Sequence, residues 1–308
     1  MTSCWGITDG SAGMVSQVRS LALAMGLQAE MKVIALKKPW VFLPNIILGG
    51  AMKDLIFTHM VKDVKPLAGP YPDIVISCGR KAALVCAALK RREPKIRAIH
   101  IQDPQMPPEN FDVVVAMQHD KVEGKNVIKT LFALHNISPE KLEAAHEKFA
   151  PVFEDYPKPH IAVLLGGSTN KYKLTTARMA DVIKQLEEVI GKTQGSLLIT
   201  PSRRTGASNI ETLKQAFSGN KRVYIYDGNG QNPYMGMLAC ADKIIVTNDS
   251  VNMMSEAFST GKPVTIMDLE GHQNTKPYNF GEMIKSRLLI TGDEMEKLAN
   301  EVRKKLWV

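Results

Sequence analysis

The sequence predicts an α/β protein with two parallel-sheet domains, and two observations support this prediction. Short apolar runs alternate with longer amphipathic segments through both halves of the chain, a pattern typical of parallel sheets with helices on both faces. Between the halves, residues 151–159 contain three prolines and form the best candidate for a linker. We therefore expect two Rossmann-like domains facing a cleft, over residues 1–150 and 151–308, with the predicted helix 295–308 a candidate to pack back on the first.

The first half contains predicted strands that end in small or polar turns. The run Cys4–Thr8, for example, precedes Asp9-Gly-Ser-Ala-Gly13. Apolar residues at helical spacing between Val15 and Met25 predict the first helix, which Gly26 ends. The predicted strands span residues 4–8, 30–35, 73–77, 96–101 and 112–116, and the predicted helices span 14–25, 81–90 and 138–149.

The same alternation restarts at His160 in the second half. The apolar run His160–Leu165 leads into a Gly-Gly-Ser turn, and later runs also end in polar turns. The predicted strands span residues 160–165, 196–200, 223–226, 243–246 and 263–266. The predicted helices span 175–190, 210–217, 233–240, a short segment that ends at Gly261, and the terminal helix.

Composition excludes several classes of protein. No apolar run of about 18 residues is present to span a membrane, and the N-terminus lacks the pattern of a signal peptide. The four cysteines contain no CxxC pair, so we expect reduced, buried thiols in a cytoplasmic protein. Neither a nucleic-acid-binding motif nor a His, Asp and Glu cluster with metal spacing appears, so no nucleic acid, metal or resident cofactor is predicted.

Positive charge is concentrated in one apolar block. Residues 31–97 carry 13 Lys and Arg against 4 Asp and Glu, although the whole chain has a net charge of only +8. In this block Lys37 and Lys38 precede Trp40, Phe42 and Ile47, a composition found on surfaces that touch anionic lipid. Such a surface would place the protein on the inner face of a membrane. The alternative is an apolar core beneath a solvated basic face.

Small residues, cations and an aromatic ring gather where strands of the second half end. Ligands of open α/β sheets bind beyond the carboxyl ends of the strands. Glycines there allow a ligand to approach the backbone closely, and arginines suit phosphate oxygens. The candidate residues are Gly166, Gly167, Ser168, Ser202, Arg203, Arg204 and Tyr234. Each motif alone is common, so their occurrence together carries the prediction.

The segment from Val246 to Val264 is the most informative part of the chain. A buried strand leads through a polar turn with Asp249 and Ser250 into a short helix, whose N-terminal N–H groups and dipole favour an anion. Glu256 follows on the same helix, within reach of ligand hydroxyls. A diphosphate at the helix start and a carboxylate beside a ribose describe a nucleotide-sugar site. An ordinary turn in which Asp and Ser cap the helix is an equal alternative.

The first half offers candidates for acid–base chemistry at its own strand ends. Asp9 lies in a loop of small residues, where it is either a general base or a helix cap. Asp103, His119 and Asp120 also follow predicted strands. His100 lies between two isoleucines and is predicted to be structural.

Several motifs along the chain together resemble a single family. They are Asp9-Gly-Ser-Ala-Gly13 with Gln17, His100-Ile-Gln-Asp-Pro104, Phe111-Asp-Val-Val-Val115 with His119-Asp120, Ala133-Leu-His135, Gly166-Gly-Ser168, Ser202-Arg-Arg-Thr205, Asp227-Gly-Asn-Gly230 with Asn232-Pro-Tyr234, and Thr247–Ala257 with Thr260-Gly-Lys-Pro263. The resemblance is to the bacterial and plant "elongated mitochondria" (ELM-type) family of mitochondrial fission. It covers nearly the whole chain, and its most specific part is Asp249-Ser-Val-Asn-Met-Met-Ser-Glu-Ala257.

That family is similar to glycosyltransferases of the GT-B class, including the lipid-linked N-acetylglucosaminyltransferase of peptidoglycan synthesis. The resemblance implies a nucleotide-sugar donor in the C-terminal domain and an acceptor in the N-terminal domain. It implies Glu256 on the ribose, Gly167 and Ser168 on the diphosphate, and Gln273 near the donor sugar. The peptidoglycan enzyme has a glycine-rich first loop with a histidine, whereas this chain has Asp9 in that region.

The motifs and the resemblance together predict a GT-B-like glycosyltransferase that needs no metal. Helix N-termini and Arg203 or Arg204 would stabilise the diphosphate, and Asp9 would deprotonate the acceptor. The acceptor is expected to be lipid-linked or a lipopolysaccharide core. Two other functions stay open, a non-catalytic GT-B-like adaptor at membranes and a nucleotide-sugar epimerase on the same scaffold.

Overall fold

The computed structural model describes residues 2–43, 45, 59–63, 65–169, 172–271 and 294–306. The chain divides into two compact units, one made of residues 1–136 with 293–308 and the other of residues 137–292. The proline-rich segment does not mark this division, because Pro151 lies inside the helix α3, Pro139–Phe153, of the second unit. A proline in a helix loses one backbone hydrogen bond, and this helix continues past it.

The first unit contains a six-stranded parallel sheet in the order β2-β1-β3-β4-β5-β6. Its strands are β1 Cys4–Thr8, β2 Ala29–Val33, β3 Ile74–Cys78, β4 Arg97–Ile101, β5 Val113–Met117 and β6 Val127–Thr130. Its helices are α1 Ala12–Ala24, α2 Arg80–Arg92 and α8 Glu294–Leu306. The edge strand β6 was not predicted from the sequence, because it is short and only half-buried.

The sheet of the first unit separates two apolar cores. Side chains alternate between the faces of a strand, so Val75 of β3 packs with α2 whereas Ile74 and Ile76 pack with α1 and α8. The terminal helix α8 contacts α1. Its Arg303 also donates a hydrogen bond of 2.9 Å to the carbonyl oxygen of Ala24, the last residue of α1.

The second unit contains a five-stranded parallel sheet in the order β10-β9-β7-β11-β12. Its strands are β7 His160–Leu165, β9 Ser196–Pro201, β10 Val223–Ile225, β11 Lys243–Thr247 and β12 Val264–Met267, and β8 Tyr172–Lys173 pairs separately with β13 Glu270–Gly271. Besides α3, its helices are α4 Thr176–Thr193, α5 Ala207–Ala216, α6 Tyr234–Cys240 and α7 Val251–Phe258. This architecture confirms the predicted α/β fold with two Rossmann-like units.

The strand order of the second sheet places a topological switch at β7. The chain moves from β7 outward through β9 to β10, and then returns to the other side of β7 to form β11 and β12. Loops at such a point diverge and leave room for a ligand at the carboxyl ends of the strands. A ligand site is therefore expected at the loops after β7, β9 and β11.

The basic apolar block of the first unit is described in part. Lys37 and Lys38 are exposed, and Phe42 is 70% exposed. Trp40 is half-buried and packs against the core, so the core alternative holds for this ring. Ile47 lies outside the described residues. Across the described part of the chain, none of the helices has the length and apolar character needed to span a membrane.

Candidate functional site

The carboxylate of Asp249 joins the loops after β7, β9 and β11. One of its oxygens accepts hydrogen bonds from the backbone N–H of Gly167 at 3.2 Å and from Arg204 at 2.6 Å. The other accepts from the hydroxyl of Thr247 at 2.7 Å. The Asp249 side chain is fully buried, whereas that of Arg204 is 44% exposed. Because a buried charge needs a partner, this ion pair accounts for the position of Asp249.

Glycine is required at the end of β7 by the closeness of the other two loops. A side chain at Gly166 would overlap the carboxylate of Asp249, and one at Gly167 would overlap the backbone of Arg204. The backbone N–H of Gly166 also donates to the hydroxyl of Thr247 at 2.8 Å. The Gly-Gly pair therefore lets three strand ends converge, and the space beside each glycine is occupied by Asp249 or by the backbone of Arg204.

The candidate serines each make a hydrogen bond within the protein. The Ser168 hydroxyl accepts from the N–H of Leu174 at 3.0 Å, and the Ser202 hydroxyl accepts from the N–H of Arg204 at 3.2 Å. Ser250 caps α7 by accepting from the N–H of Met253 at 3.4 Å, as the cap alternative predicted. Ser168 is exposed, and Ser202 and Ser250 are half-buried, so their positions allow ligand contact as well.

Arg203 and Arg204 differ in their surroundings. Arg204 donates to Asp249 through one terminal nitrogen of its guanidinium group, and its side chain is partly exposed to solvent. Arg203 is exposed. A guanidinium group has five N–H donors, so Arg204 can hold Asp249 and still meet an anion.

Tyr234 and Glu256 form a hydrogen-bonded pair beside these loops. The hydroxyl of Tyr234 donates to a carboxylate oxygen of Glu256 at 2.5 Å. Burial raises the pKa of Glu256, and the bond from Tyr234 acts in the opposite direction. Burial and the neighbouring Glu256 together raise the pKa of Tyr234 well above its ordinary value, so the tyrosine stays a donor at neutral pH.

Sequence reasoning did not identify two threonines that support the site. Thr247 connects the N–H of Gly166 with Asp249. Thr205 accepts from the N–H of Ser202 at 3.0 Å, and its hydroxyl lies 2.6 Å from the carbonyl oxygen of Gly166. Both are buried. Thr247 ends β11, and Thr205 lies in the loop after β9. These positions near strand ends were the available signal, since a hydroxyl there can satisfy backbone groups of a neighbouring loop. Gln273 lies outside the described residues.

In the first unit, Asp9 follows β1 and is half-buried. One of its carboxylate oxygens accepts from the N–H of Ser11 at 3.1 Å and from the Ser11 hydroxyl at 2.7 Å, so Asp9 shapes the turn into α1. Among the other candidates, Asp120 is buried and accepts from the N–H of Met117 at 3.2 Å.

Gln102, directly after β4, has a left-handed φ of 81°, a strained conformation that is common at functional sites.

His100 lies in the core of the first unit. It stacks on Phe111 with ring centroids 5.1 Å apart, and its Nδ1 lies 2.8 Å from the hydroxyl of Ser77. Burial lowers the pKa of His100 to about 3, so it is neutral at physiological pH and has the structural role predicted for it. Over the described residues, no group of three His, Cys, Asp or Glu side chains is placed to hold a metal ion.

Comparison with known proteins places the chain among named relatives. A family model described as "Mitochondrial fission ELM1" matches residues 12–307. The chain is 31% identical to the mitochondrial fission protein ELM1 of Arabidopsis thaliana over 246 residues, which cover 71% of this chain and 56% of that protein. It is 27% identical to an uncharacterised protein of Rickettsia prowazekii over 299 residues, which cover 85% of this chain and 82% of that protein.

Similar solved structures share the fold at low sequence identity. S. aureus MnaA, in a co-structure with UDP, has a TM-score of 0.56 at 12% identity and covers 100% of this chain and 90% of its own. UDP-GlcNAc 2-epimerase from Neisseria meningitidis, bound to UDP-GlcNAc, has a TM-score of 0.52 at 13% identity, and the match covers 98% of this chain and 90% of the epimerase. MurG from Acinetobacter baumannii has a TM-score of 0.51 at 11% identity, and the match covers 100% of this chain and 91% of MurG. The fold is therefore GT-B-like.

Proposed function

Because the chain belongs to the mitochondrial fission ELM1 family and has the loop geometry described above, we propose that it is a glycosyltransferase with a nucleotide-sugar donor. The donor would lie at the carboxyl edge of the second sheet. The full length of the Arabidopsis relative is nearly twice the matched part, so this proposal concerns the chain described here and not that whole protein.

One observation carries the proposal most directly. Glu256 has one carboxylate oxygen held by Tyr234, and it lies in α7, the helix that begins directly after the loop of Asp249. A carboxylate held in this way accepts hydrogen bonds from ligand hydroxyls, as a ribose would offer. The neighbouring Arg204 supplies positive charge and the Ser168 hydroxyl a donor that suit a diphosphate. The backbone N–H groups of Gly167 and Ser168 already donate to Asp249 and to the carbonyl oxygen of Arg204.

The names of the structural neighbours support the same class of ligand. MnaA was obtained with UDP, and the Neisseria epimerase with UDP-GlcNAc. At 12% and 13% identity these likenesses establish the fold alone, and fold does not fix function. The chemical case for a nucleotide-sugar therefore rests on the residues around Asp249 and Glu256.

In the proposed reaction an acceptor hydroxyl attacks the anomeric carbon of the donor sugar. The bond from that carbon to the diphosphate oxygen breaks, and the nucleoside diphosphate leaves with the electron pair. Arg203, Arg204 and the N–H groups at the start of α7 stabilise the charge that develops on the leaving group. Asp9, proposed as the general base, takes the acceptor proton. Asp249 acts indirectly, by holding Gly167 and Arg204 in position.

The acceptor is proposed to be lipid-linked or a glycan of the lipopolysaccharide core, reached from an anionic membrane surface. Lys37, Lys38 and Phe42 support this, because exposed positive charge beside an exposed ring suits an anionic bilayer. The protein would then act in the cytoplasm and at the inner face of the membrane.

A two-step experiment tests the proposal. Thermal shift against a panel of nucleotide-sugars should show a rise in melting temperature for at least one nucleoside diphosphate sugar. That donor is then incubated with lipid and glycan acceptors, with and without EDTA. Sugar transfer that survives EDTA supports the proposal. A changed sugar configuration without an acceptor would identify an epimerase, and binding with neither reaction would identify an adaptor.

A further inference from the structure

The strand β2 forms one edge of the six-stranded sheet in the first unit, and across the described residues it pairs with β1 alone. Directly after the strand, the N–H of Ile34 donates to the carbonyl oxygen of Thr8 in β1 at 2.8 Å. Because the backbone groups of successive residues point to alternate sides of a strand, those of Ala29, Met31 and Val33 point away from β1. The outer side of β2 is therefore a row of donors and acceptors that another strand could pair with.

The residues along this edge are accessible to a partner. Val33, at the end of β2, is 58% exposed, and the side chain of Glu30 is 65% exposed. Leu23 of α1 is 57% exposed. The helix α1 contacts β2 and leads into it, so Leu23 lies at the end of the edge where Ala29 begins the strand. An exposed apolar side chain thus lies near each end of the edge.

The charges of β2 are arranged symmetrically about Met31. Glu30 and Lys32 lie on either side of it and share one face of the strand, where their charged groups are 2.5 Å apart. The Lys32 side chain is 13% exposed, because it lies over the ring of Trp5. Its ammonium group nevertheless touches the carboxylate of the exposed Glu30, so the charged tip lies where a partner strand would meet it.

We infer that β2 pairs with β2 of a second copy of this chain, antiparallel about a twofold axis at Met31. In this register Ala29 of each copy faces Val33 of the other, and the outward groups of the two strands form about six backbone hydrogen bonds. Glu30 of each copy faces Lys32 of the other at the closely spaced positions that lack hydrogen bonds, where opposite charges stabilise a strand pair.

The arrangement of charge selects this partner and this direction. Charged residues on an edge strand usually oppose pairing with other strands. An antiparallel second copy matches each charge with its opposite, whereas a parallel copy in register would set Glu30 against Glu30 and Lys32 against Lys32. The antiparallel pair would join the two sheets into one, and each Val33 would come beside the Ala29 end of the other copy, where Leu23 lies.

The predicted dimer is weak. Five residues of each copy cover less surface than the roughly 1,200–2,000 Å² of a stable complex, so the dimer should form only at micromolar or higher concentration. Self-association through the first unit does not depend on any ligand, so the inference does not rest on the proposed function.

Sedimentation velocity of the full chain over a range of concentrations tests the inference. The unmodified chain should pass from monomer to dimer as the concentration rises. Glu30→Lys sets a lysine against Lys32 of the other copy and should weaken the dimer roughly tenfold. Glu123→Lys makes the same charge change at an exposed position before β6, at the opposite edge of the sheet, and should dimerise like the unmodified chain. A chain that stays monomeric throughout, or a Glu30→Lys variant that dimerises normally, would overturn the inference.

A mixing experiment separates pairing from folding. Lys32→Glu makes both charges of the edge acidic and should also weaken self-association. Glu30→Lys and Lys32→Glu chains should pair with each other when mixed, because opposite charges then face each other at both positions. Recovery on mixing cannot come from restored folding of either chain. Val33→Pro removes one outward N–H without changing a charge and should weaken the dimer as well. If circular dichroism shows the two charge variants folded and their mixture forms no dimer, the inference fails.

Discussion

The hydroxyl of Tyr234 donates a hydrogen bond of 2.5 Å to one carboxylate oxygen of Glu256. Tyr234 is the first residue of α6, and Glu256 lies in α7, so the bond joins two helices that precede and follow β11. It leaves the second oxygen of Glu256 as the one that a ligand hydroxyl would meet. The proposed ribose contact thus depends on both residues.

Replacement of Glu256 tests the ribose contact. Glu256→Ala should weaken binding of the nucleotide-sugar found in the thermal-shift panel by about 1–3 kcal/mol, the usual loss for hydrogen bonds to a charged group. Calorimetry measures the change. Glu211→Ala, which removes an exposed glutamate of α5 in the same unit, is the control and should leave the affinity unchanged. Unaltered affinity in the Glu256 variant would exclude the ribose role.

The pair also predicts how binding depends on pH. Burial raises the pKa of Glu256 and the Tyr234 hydroxyl lowers it, so Tyr234→Phe should raise that pKa further. An ionised carboxylate is the stronger acceptor, so affinity falls as the pH drops through this pKa. The acid limb of the affinity profile should therefore move to higher pH in Tyr234→Phe. A variant that binds more weakly at every pH, with an unmoved limb, would show that Tyr234 only supports packing.

Because three loops converge on Asp249, replacing Gly166 with alanine should change the stability of the protein differently from replacing Gly191. Gly166→Ala would place a methyl group against the Asp249 carboxylate and should destabilise the protein by about 1–3 kcal/mol, as overpacking does. Gly191, in α4, has open space around its Cβ position. Gly191→Ala should be neutral or stabilise by about 0.5–1 kcal/mol. Urea denaturation measures the free energy of unfolding of both variants. Equal changes in the two variants would contradict the steric argument.

The strand ends could be predicted from sequence, but the partners of their side chains could not. The run His160–Leu165 has the same limits as β7 in the structure, because a buried parallel strand is continuously apolar and ends at a turn. The sequence also predicted a role for Asp249, but as a residue that contacts the ligand, whereas in the structure it binds Gly167 and Arg204. Its partners Arg204 and Gly167 lie 45 and 82 positions away, and only the sheet order brings them together.

Local signals failed where tertiary contacts outweigh them. Pro151 suggested a linker, yet α3 continues through it and packs against α6. There the ring of Phe149 lies against Gly236, where a side chain would overlap it. In the first unit, the left-handed Gln102 gave no signal, since glutamine does not favour that conformation.

Asp9 is tested as a base by separating rate from binding. Asp9→Asn keeps an oxygen that can accept from Ser11, as the carboxylate does now, so the turn into α1 should persist. The rate of sugar transfer should fall by roughly 10²–10⁴-fold, while donor affinity stays unchanged. Single-turnover transfer and calorimetry measure the two quantities. A variant with the unmodified rate would leave Asp9 only its role in the turn before α1 and make Asp103, His119 or Asp120 the next candidate.

The exposed basic and aromatic residues predict attraction to anionic vesicles. Replacing Lys37 and Lys38 with Glu should reduce binding, at about 1 kcal/mol for each lysine near the surface, and added salt should weaken the interaction. Phe42→Ser should reduce it further because that ring is 70% exposed. Trp40→Ser should instead lower the free energy of unfolding, since Trp40 packs on the core. Co-sedimentation at low and high salt measures binding. A chain that stays in the supernatant at low salt has a solvated basic face, and its acceptor is then expected to be soluble.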